Sequence, residues 1–131
     1  MHPIPRLLPL DQLKPHPRNA RTHSRKQIRA IADSIAAFGF TTPVLTDENL
    51  TLLAGHGRLE AARLLGLAEV PAIVLEGLPE ARKRALLLAD NKLAQRAGWD
   101  RERLALELPE LAELLVEDGL EIAITGFVAE A

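Results

Sequence analysis

The residues best suited to binding an anion lie in the segment 54–62, which reads AGHGRLEAA. A β-favouring run ends at Ala54, Gly55-His56-Gly57 follow, and Arg58 opens a stretch suited to a helix. Glycines allow a tight turn and a close approach of phosphate to the backbone, and a helix N-terminus offers N–H donors without helical partners. Arg58 adds a planar guanidinium that suits phosphate oxygens. The pattern predicts a phosphate-binding turn, although many strand-to-helix turns use glycine for steric reasons alone.

Two further segments carry polar groups that could serve the same ligand. Residues 14–23, KPHPRNARTH, concentrate basic and hydrogen-bonding side chains just before a capped helix. This segment could close over phosphates, or it could be an exposed linker stiffened by proline. Asp90 and Asn91 supply oxygens of the kind that Mg²⁺ bound to phosphates accepts, although polar residues on a helix surface are common.

Histidine and cysteine limit the chemistry. His16, His23 and His56 form no i, i+4 pair on one helix, and the chain has no cysteine, so we reject a zinc site. The lack of thiols also excludes disulfides and a cysteine nucleophile. His56 could donate a hydrogen bond to phosphate or act as a general base.

The elements that must position these groups follow from periodicity and from helix and turn signals. Five prolines in the first 23 residues predict an extended arm with one short strand. Ser24 and Gln27 form a capping-box pattern. From such signals we predict helices at 25–38, 58–65 and 80–96, strands at 43–46, 51–54 and 70–75, and a helical region at 101–116 that Pro109 divides. The apolar face of the helix at 80–96 is predicted to comprise Ala81, Ala85, Leu88 and Ala89 or Leu93. The segment GLEIAITGF is either an edge strand or a docked tail.

Length and charge limit the classes of protein to which the chain can belong. A chain of 131 residues with 47% hydrophobic content suits one domain, or one with a tail. Residues 1–30 hold seven Lys and Arg against one Asp, and the remainder holds nine against seventeen acidic residues. The basic segment could meet phosphates of a nucleotide or of nucleic acid, or could simply keep the arm soluble. We find no signal-peptide pattern and no long apolar run, so we expect a cytoplasmic protein with no membrane partner.

Four motifs taken in order, PHPRNARTHS, FGFTTPVL, LLAGHGRLEAARLLG and ADNKLA, resemble the N-terminal domain of the ParB/sulfiredoxin superfamily over about residues 10 to 100. The variant with NARTHS and ADNKLAQRAGWD is most similar to the ParB-like (ParB-like nuclease) domains found next to DNA methyltransferases in bacterial and phage proteins. The resemblance implies an α+β fold, with a small mixed sheet packed with helices. It implies a nucleotide-binding domain with a basic arm at 1–100 and a helical extension and tail at 101–131.

In ParB proteins a GERR-type box cradles the triphosphate of CTP, and an acidic-Asn pair on a later helix helps to hold magnesium. Gly55 matches the glycine of the box and Arg58 its last arginine, whereas His56 and Gly57 replace the glutamate and the first arginine. The resemblance implies that Asp90 and Asn91 hold Mg²⁺ and that His56 and Arg58 act in any catalysis. The phosphate-binding residues it implies are Arg18, Asn19, Arg21, Thr22, Gly55, His56, Gly57, Arg58 and Asn91.

The resulting expectation is a domain that binds CTP, ATP or ADP with Mg²⁺ and could act as a slow NTPase in DNA modification or partition-related processes. Sulfiredoxin chemistry is excluded, because His56 stands where sulfiredoxin has its cysteine. Two alternatives stay open: a DNA-binding accessory module with a vestigial pocket, and a ParB-like nuclease. The expected partners are DNA, a DNA methyltransferase and a second copy of the chain. The leucines of 101–116 suit either a core or a dimer surface.

Overall fold

A mixed sheet forms the centre of the computed structural model, which describes residues 3–19, 22–96, 98–125 and 127. Within these ranges the sheet has four strands, β1 (Arg6–Pro9), β2 (Val44–Asp47), β3 (Leu52–Ala54) and β4 (Glu69–Leu75), in the order β1-β4-β2-β3. β4 pairs antiparallel with β1 and parallel with β2, and β2 pairs antiparallel with β3. With the helices described below, this confirms the predicted α+β fold and its small mixed sheet.

Helix α1 (Arg25–Phe38) begins where its local sequence predicts. The Ser24 hydroxyl accepts a hydrogen bond from the backbone N–H of Gln27, and the Gln27 side chain accepts one from the N–H of Ser24. Gly39 ends the helix with a positive φ. The capping box therefore fixes the end of the arm and the start of α1.

The turn from β3 into α2 (His56–Leu65) is the part of the fold that matters most for the candidate site. α2 begins two residues earlier than predicted, because Gly55 adopts a left-handed conformation (φ 97°) and itself caps the helix. Gly66, also left-handed, ends it. The predicted β2-β3 hairpin is confirmed, and its second strand leads directly into this turn.

The core lies between the sheet and α2, and the arm is tied to it. The arm carries the predicted short strand, β1, and a 3-10 helix at Leu10–Gln12. Beyond them, Lys14 forms a bridge to Thr51 through two backbone hydrogen bonds. The core residues are Leu10, Leu13, Val44, Leu52, Leu59, Ala62, Val70 and Ala72.

Helix α3 (Glu80–Arg96) has the predicted bounds, but its predicted apolar face is wrong. Ala81, Ala85, Leu88 and Ala89 are exposed, Leu88 to 61%, and nothing is described of the Leu93 side chain. The side chains that α3 buries instead are Lys83 and Leu87, among those the structure describes. Tertiary contacts, not helical periodicity, decide which face of α3 meets the sheet.

Helix α4 (Arg101–Glu117) continues through Pro109, so the predicted division is wrong. Proline removes the hydrogen bond to the carbonyl of Ala105, but both residues are exposed and water can hydrate that carbonyl. After α4, a 3-10 helix at Ile122–Thr125 packs against α1, which confirms the docked-tail alternative. The domain boundary near residue 100 stays a prediction.

Within the described ranges, no helix combines the length and the apolar character needed to cross a bilayer.

Candidate nucleotide cradle

A cavity of about 290 Å³ lies at the start of α2 and gathers residues from separate parts of the chain. We call it the cradle. It brings together seven of the residues predicted for the site: Asn19, Gly55, His56, Gly57, Arg58, Asp90 and Asn91. Its other lining residues are His23, Ile31, Leu53, Ala54 and Leu87.

Gly55 shapes the floor of the cradle. Its φ of 97° lies in the left-handed region, which residues with a side chain rarely adopt. A Cβ added to Gly55 would also lie 2.6 Å from Cγ1 of Val44 on β2. Conformation and space therefore both require glycine, and the residues at the start of α2, whose first N–H groups have no helical partners, line the cavity.

The neighbours of Gly57 leave little space for a side chain at this position. A Cβ there would lie 3.0 Å from Cε1 of His23 and 3.0 Å from Cδ1 of Ile31. The His23 imidazole packs against the backbone at this position. The glycine thus lets α1 and the residue before its cap approach α2 closely.

Among the described residues, the guanidinium of Arg58 has a hydrogen-bond partner at Nη2 but none at Nε. Its Nη2 donates to the carbonyl of Pro43 at 3.1 Å. Its Nε is buried and has no hydrogen-bond partner among the described residues. Burial lowers the pKa of the Arg58 guanidinium, and the nearby carboxylate of Asp90 partly opposes this effect. Arginine still stays charged near neutral pH, so Arg58 places a half-buried cation at the cradle.

His56 is held in one tautomer by the arm. Its Nε2 accepts a hydrogen bond from the backbone N–H of His16 at 3.0 Å, so the proton of the neutral ring lies on Nδ1. Burial, followed by the charges of His16 and His23, lowers the pKa of His56 against the opposing effect of Glu60. In this arrangement His56 is a neutral hydrogen-bond donor, and Nε2 is not available as a general base.

The arm folds around His16, which is 7% exposed. Its Nδ1 accepts the backbone N–H of Arg18 and its carbonyl accepts that of Asn19. This turn places Asn19 in the cradle, but the exposed side chains of Arg18 and Thr22 are not among the lining residues. Arg21 lies outside the described residues.

His23 was predicted within the 14–23 segment that could close over phosphates, but it was not among the predicted phosphate-binding residues, and it lines the cradle. The available signal was its position immediately before the Ser24 cap, because that position faces whatever element packs at the start of α1. The apolar walls are Ile31, Leu53 and Leu87. Ile31 and Leu53 were missed because they look like ordinary core positions, and Leu87 was missed because the predicted apolar face of α3 did not include it.

The cradle joins a larger groove of about 940 Å³ between α1 and α2. The two cavities share Asn19, His23 and His56. Elsewhere the groove combines apolar residues with charged residues of α1 and α2: Pro15, Arg25, Ile28, Arg29, Leu59, Glu60, Arg63 and Leu64. A ligand longer than the cradle therefore has room beside it.

Asp90 and Asn91 lie at the cradle on α3. Among the described residues, no three histidine, aspartate or glutamate side chains converge as a metal site. A divalent ion at Asp90 and Asn91 would thus need further oxygens from a bound ligand or from water, as Mg²⁺ commonly has when it binds with phosphates.

The ParB N-terminal domain family matches residues 3–92. A curated relative, the ParB-like nuclease domain-containing protein YnaK of Escherichia coli, is 49% identical over 76 residues, which are 58% of this chain and 87% of the relative. The family match includes the cradle turn and most of the arm.

Two solved structures share the fold. A C-terminally truncated chromosome-partitioning protein ParB from Caulobacter crescentus, complexed with CTP-gamma-S, aligns with a TM-score of 0.72 and 26% identity, over 85% of this chain and 64% of that one. Sulfiredoxin from Arabidopsis thaliana aligns with a TM-score of 0.55 and 24% identity, over 64% of this chain and 98% of that one. The fold is therefore that of the ParB/sulfiredoxin superfamily, and the chain spans less than two thirds of the Caulobacter protein structure.

Proposed function

Because this chain belongs to the ParB N-terminal domain family, we propose that its cradle binds a nucleotide, CTP, ATP or ADP, together with Mg²⁺. The observation that carries the proposal is the buried Nε of Arg58, which has no hydrogen-bond partner among the described residues. Leaving a buried donor unsatisfied costs about 1–3 kcal/mol, and a phosphate oxygen would satisfy it once the side chain turns this donor toward the cradle. The similarity to a ParB structure that holds CTP-gamma-S supports a nucleotide as the source of that phosphate.

The chemistry of the lining residues fits such a ligand. The backbone N–H groups at the start of α2 and the guanidinium of Arg58 would bind phosphate oxygens, and Nδ1–H of His56 would donate a further hydrogen bond. Asp90 and Asn91 would hold Mg²⁺ with the help of those oxygens. Since Asn19 lines the cradle, we keep its neighbours Arg18, Arg21 and Thr22 as proposed phosphate contacts from the arm.

We propose slow hydrolysis as the upper limit of catalysis. Bound Mg²⁺ would supply charge neutralisation at the phosphates, which together with positioning provides most of the rate in phosphoryl chemistry. His56 acts as a donor while its Nε2 accepts from His16. A role as general base would require that hydrogen bond to break.

Calorimetric titration of the chain with CTP, ATP and ADP in the presence of Mg²⁺ tests the proposal. We expect binding of at least one nucleotide, and a loss of at least about tenfold in affinity for Arg58→Ala, since charge-assisted bonds to phosphate contribute about 1.5–3 kcal/mol. Arg103→Ala, which removes an exposed guanidinium from α4, is the matched control and should bind as the wild type does.

Arg58→Ala also removes the hydrogen bond to Pro43, so Arg58→Lys is the second variant. Lysine keeps the charge but lacks the planar fork, and we expect affinity between those of the wild type and the alanine variant. Absence of binding at millimolar concentration for all three nucleotides, or unchanged affinity in both Arg58 variants, would contradict the proposal.

A second candidate is binding of DNA phosphates, which the excess of seven basic residues over one acidic residue in 1–30 favours. DNA binding would agree with two further proposals. One is that the protein acts in partition or with a DNA methyltransferase in the cytoplasm, and the other is that a second copy of the chain is a partner. Deleting the first 23 residues would remove β1 and the buried Leu10 and Leu13, so a surface variant is the better test. Under this alternative, salt-dependent DNA binding survives Arg58→Ala and is lost when the exposed Arg25, Lys26 and Arg29 are changed to Gln.

A further inference from the structure

Helix α3 is attached to the β2-β3 hairpin by a buried ion pair. Nζ of Lys83 lies 3.0 Å from Oδ2 of Asp47 and 3.4 Å from Oε1 of Glu48. Lys83 is 7% exposed and Asp47 is 5% exposed. The hydrogen bond that Lys83 donates to Asp47 raises the pKa of Lys83 against the effect of burial, so the ammonium stays charged in this position.

Asp47 is a rigid anchor for that ammonium. Its Oδ1 accepts hydrogen bonds from the backbone N–H groups of Asn49 and Thr51, and its own N–H donates to the carbonyl of Thr51. Burial raises the pKa of Asp47, but the hydrogen bonds from Lys83 and from these two backbone groups outweigh it, and the pKa is lowered overall. The carboxylate thus stabilises the hairpin turn through the hydrogen bonds of Oδ1 and binds α3 through the ion pair of Oδ2.

Besides this ion pair, α3 packs against β3, and Oε1 of the exposed Glu80 in its first turn lies 3.8 Å from Nε2 of His16. Among the α3 side chains that the structure describes, 80–92, the buried ones are Lys83 and Leu87. A broad apolar face would allow a helix to slide or rotate at small cost, since apolar contact has no directional preference. A charged hydrogen bond requires a defined distance and angle, so Lys83 is the contact that can fix the position of α3 along the hairpin.

The ion pair of Lys83 with Asp47 and the cradle lie at opposite ends of the contact between α3 and the β2-β3 hairpin. Lys83, Leu87, Asp90 and Asn91 follow an i, i+4, i+7, i+8 spacing and so share one stripe of α3. From Lys83 to Asp90 the helix rises about 10.5 Å. On β2 the distance from Asp47 to Val44 is about 10 Å. Val44 lies against Gly55, at the floor of the cradle.

We propose that Lys83 is a positioning residue for the cradle: its ion pair with Asp47 sets the position of α3 along the hairpin and thereby holds Asp90 and Asn91 opposite Arg58. Without the pair, a shift of one helical turn would move these side chains by about 5.4 Å, beyond hydrogen-bonding reach of a ligand held at Arg58. The part of this inference that concerns ligand affinity rests on the proposed nucleotide function.

The test uses Lys83→Met, which keeps most of the aliphatic stem and removes the charge, with Arg84→Met as the control at the exposed neighbouring position. The first measurement needs no nucleotide: the ¹⁵N–¹H resonance of the buried Arg58 Nε, which senses Asp90. We expect this resonance to shift in Lys83→Met, as it does when Asp90 is changed to Asn, and to stay unchanged in Arg84→Met.

The second measurement is a double-mutant cycle on affinity for the Mg²⁺ complex of whichever of CTP, ATP and ADP binds most tightly. Lys83→Met should lower affinity about tenfold in the wild-type background and less than about twofold in the Asp90→Asn background, because the two changes act through the same contact. Lys83→Arg should retain most of the affinity, since it keeps the charge. Equal losses in both backgrounds, or an unchanged Arg58 resonance, would overturn the proposal.

Removal of Lys83 alone leaves a buried carboxylate without its cation and could unfold the chain. The combined variant Lys83→Met/Asp47→Asn removes both charges, and it should fold while still showing the shifted Arg58 resonance and the weakened affinity. A folded double variant with wild-type values of both would overturn the proposal. If the wild-type chain binds no nucleotide, the proposed function fails, whereas the Arg58 resonance still decides whether Lys83 positions α3.

Discussion

Arg58 and His56 lie in one turn of backbone but differ in what their hydrogen bonds leave available. Nε of Arg58 is buried with its donor unused among the described residues, while Nε2 of His56 is occupied by the N–H of His16. The residue types in GHGR predict an anion-binding turn from local sequence alone. The tautomer of His56 could not be predicted, because its partner lies 40 positions earlier in the chain.

The lowered pKa of His56 gives a prediction about stability. A histidine whose folded pKa is below its unfolded value of about 6.5 contributes its stability in full above that value and loses it as the pH falls. We therefore expect the free energy of unfolding to fall more steeply between pH 7 and pH 5 in the wild type than in His56→Gln. Glutamine can still accept the hydrogen bond from His16 but does not titrate.

Urea unfolding at a series of pH values measures this difference. His16 and His23 remain in both proteins, so their contributions largely cancel in the comparison. The same pH dependence in wild type and variant would show that the folded structure does not disfavour the protonated form of His56.

At the scale of elements, local sequence signals predicted well where helices begin and end, but they predicted poorly which face of a helix is buried. Ser24 and Gln27 cap each other within one turn, so the start of α1 follows from four residues of sequence. The buried face of α3 depends instead on Asp47, 36 positions away, which makes a lysine the inward residue and leaves Leu88 exposed. Pro109 was predicted to divide α4, but a solvent-exposed helix tolerates the lost hydrogen bond.

The junction of β3 and α2 gives a prediction that separates conformation from space. Gly55 and Gly66 cap opposite ends of α2 and both have left-handed φ values, but only Gly55 has a close neighbour, Val44. At Gly66 no described atom other than its chain neighbours would lie within 4 Å of an added Cβ. Gly66→Ala should therefore cost about 1 kcal/mol from backbone strain, and Gly55→Ala about 3 kcal/mol from strain and overpacking together.

Denaturant unfolding of the two variants measures the difference. Equal losses would mean that Val44 moves aside without cost and that the floor of the cradle is less rigid than its geometry indicates. A larger loss at Gly66 would contradict the account of the turn altogether.

Across the whole molecule, the cradle is assembled from four regions that are distant in sequence. The arm contributes Asn19, α1 contributes Ile31, the β3-α2 turn contributes its glycines and Arg58, and α3 contributes Asp90 and Asn91. No single segment predicts this arrangement, and each has an ordinary structural explanation when taken alone. The order of the four motifs and their resemblance to one superfamily predicted that the four regions meet. The position of His23 in the cradle and the ion pair of Lys83 could not be predicted from the sequence and are seen only in the folded structure.

The charge distribution of the whole chain agrees with this arrangement. The excess of basic over acidic residues lies in 1–30, where the arm passes the cradle, and the acidic excess lies in the remainder. A phosphate ligand at the cradle would meet the basic part of the molecule, which favours its association.

The most direct test of the central claim is a titration of the ¹⁵N-labelled chain with CTP, ATP and ADP, each with Mg²⁺, followed by NMR. We predict saturable shifts of the backbone amides of residues 55–58 and of the Arg58 Nε resonance for at least one nucleotide. Unchanged resonances at millimolar nucleotide, or shifts confined to residues outside the cradle such as those of α4, would contradict the account.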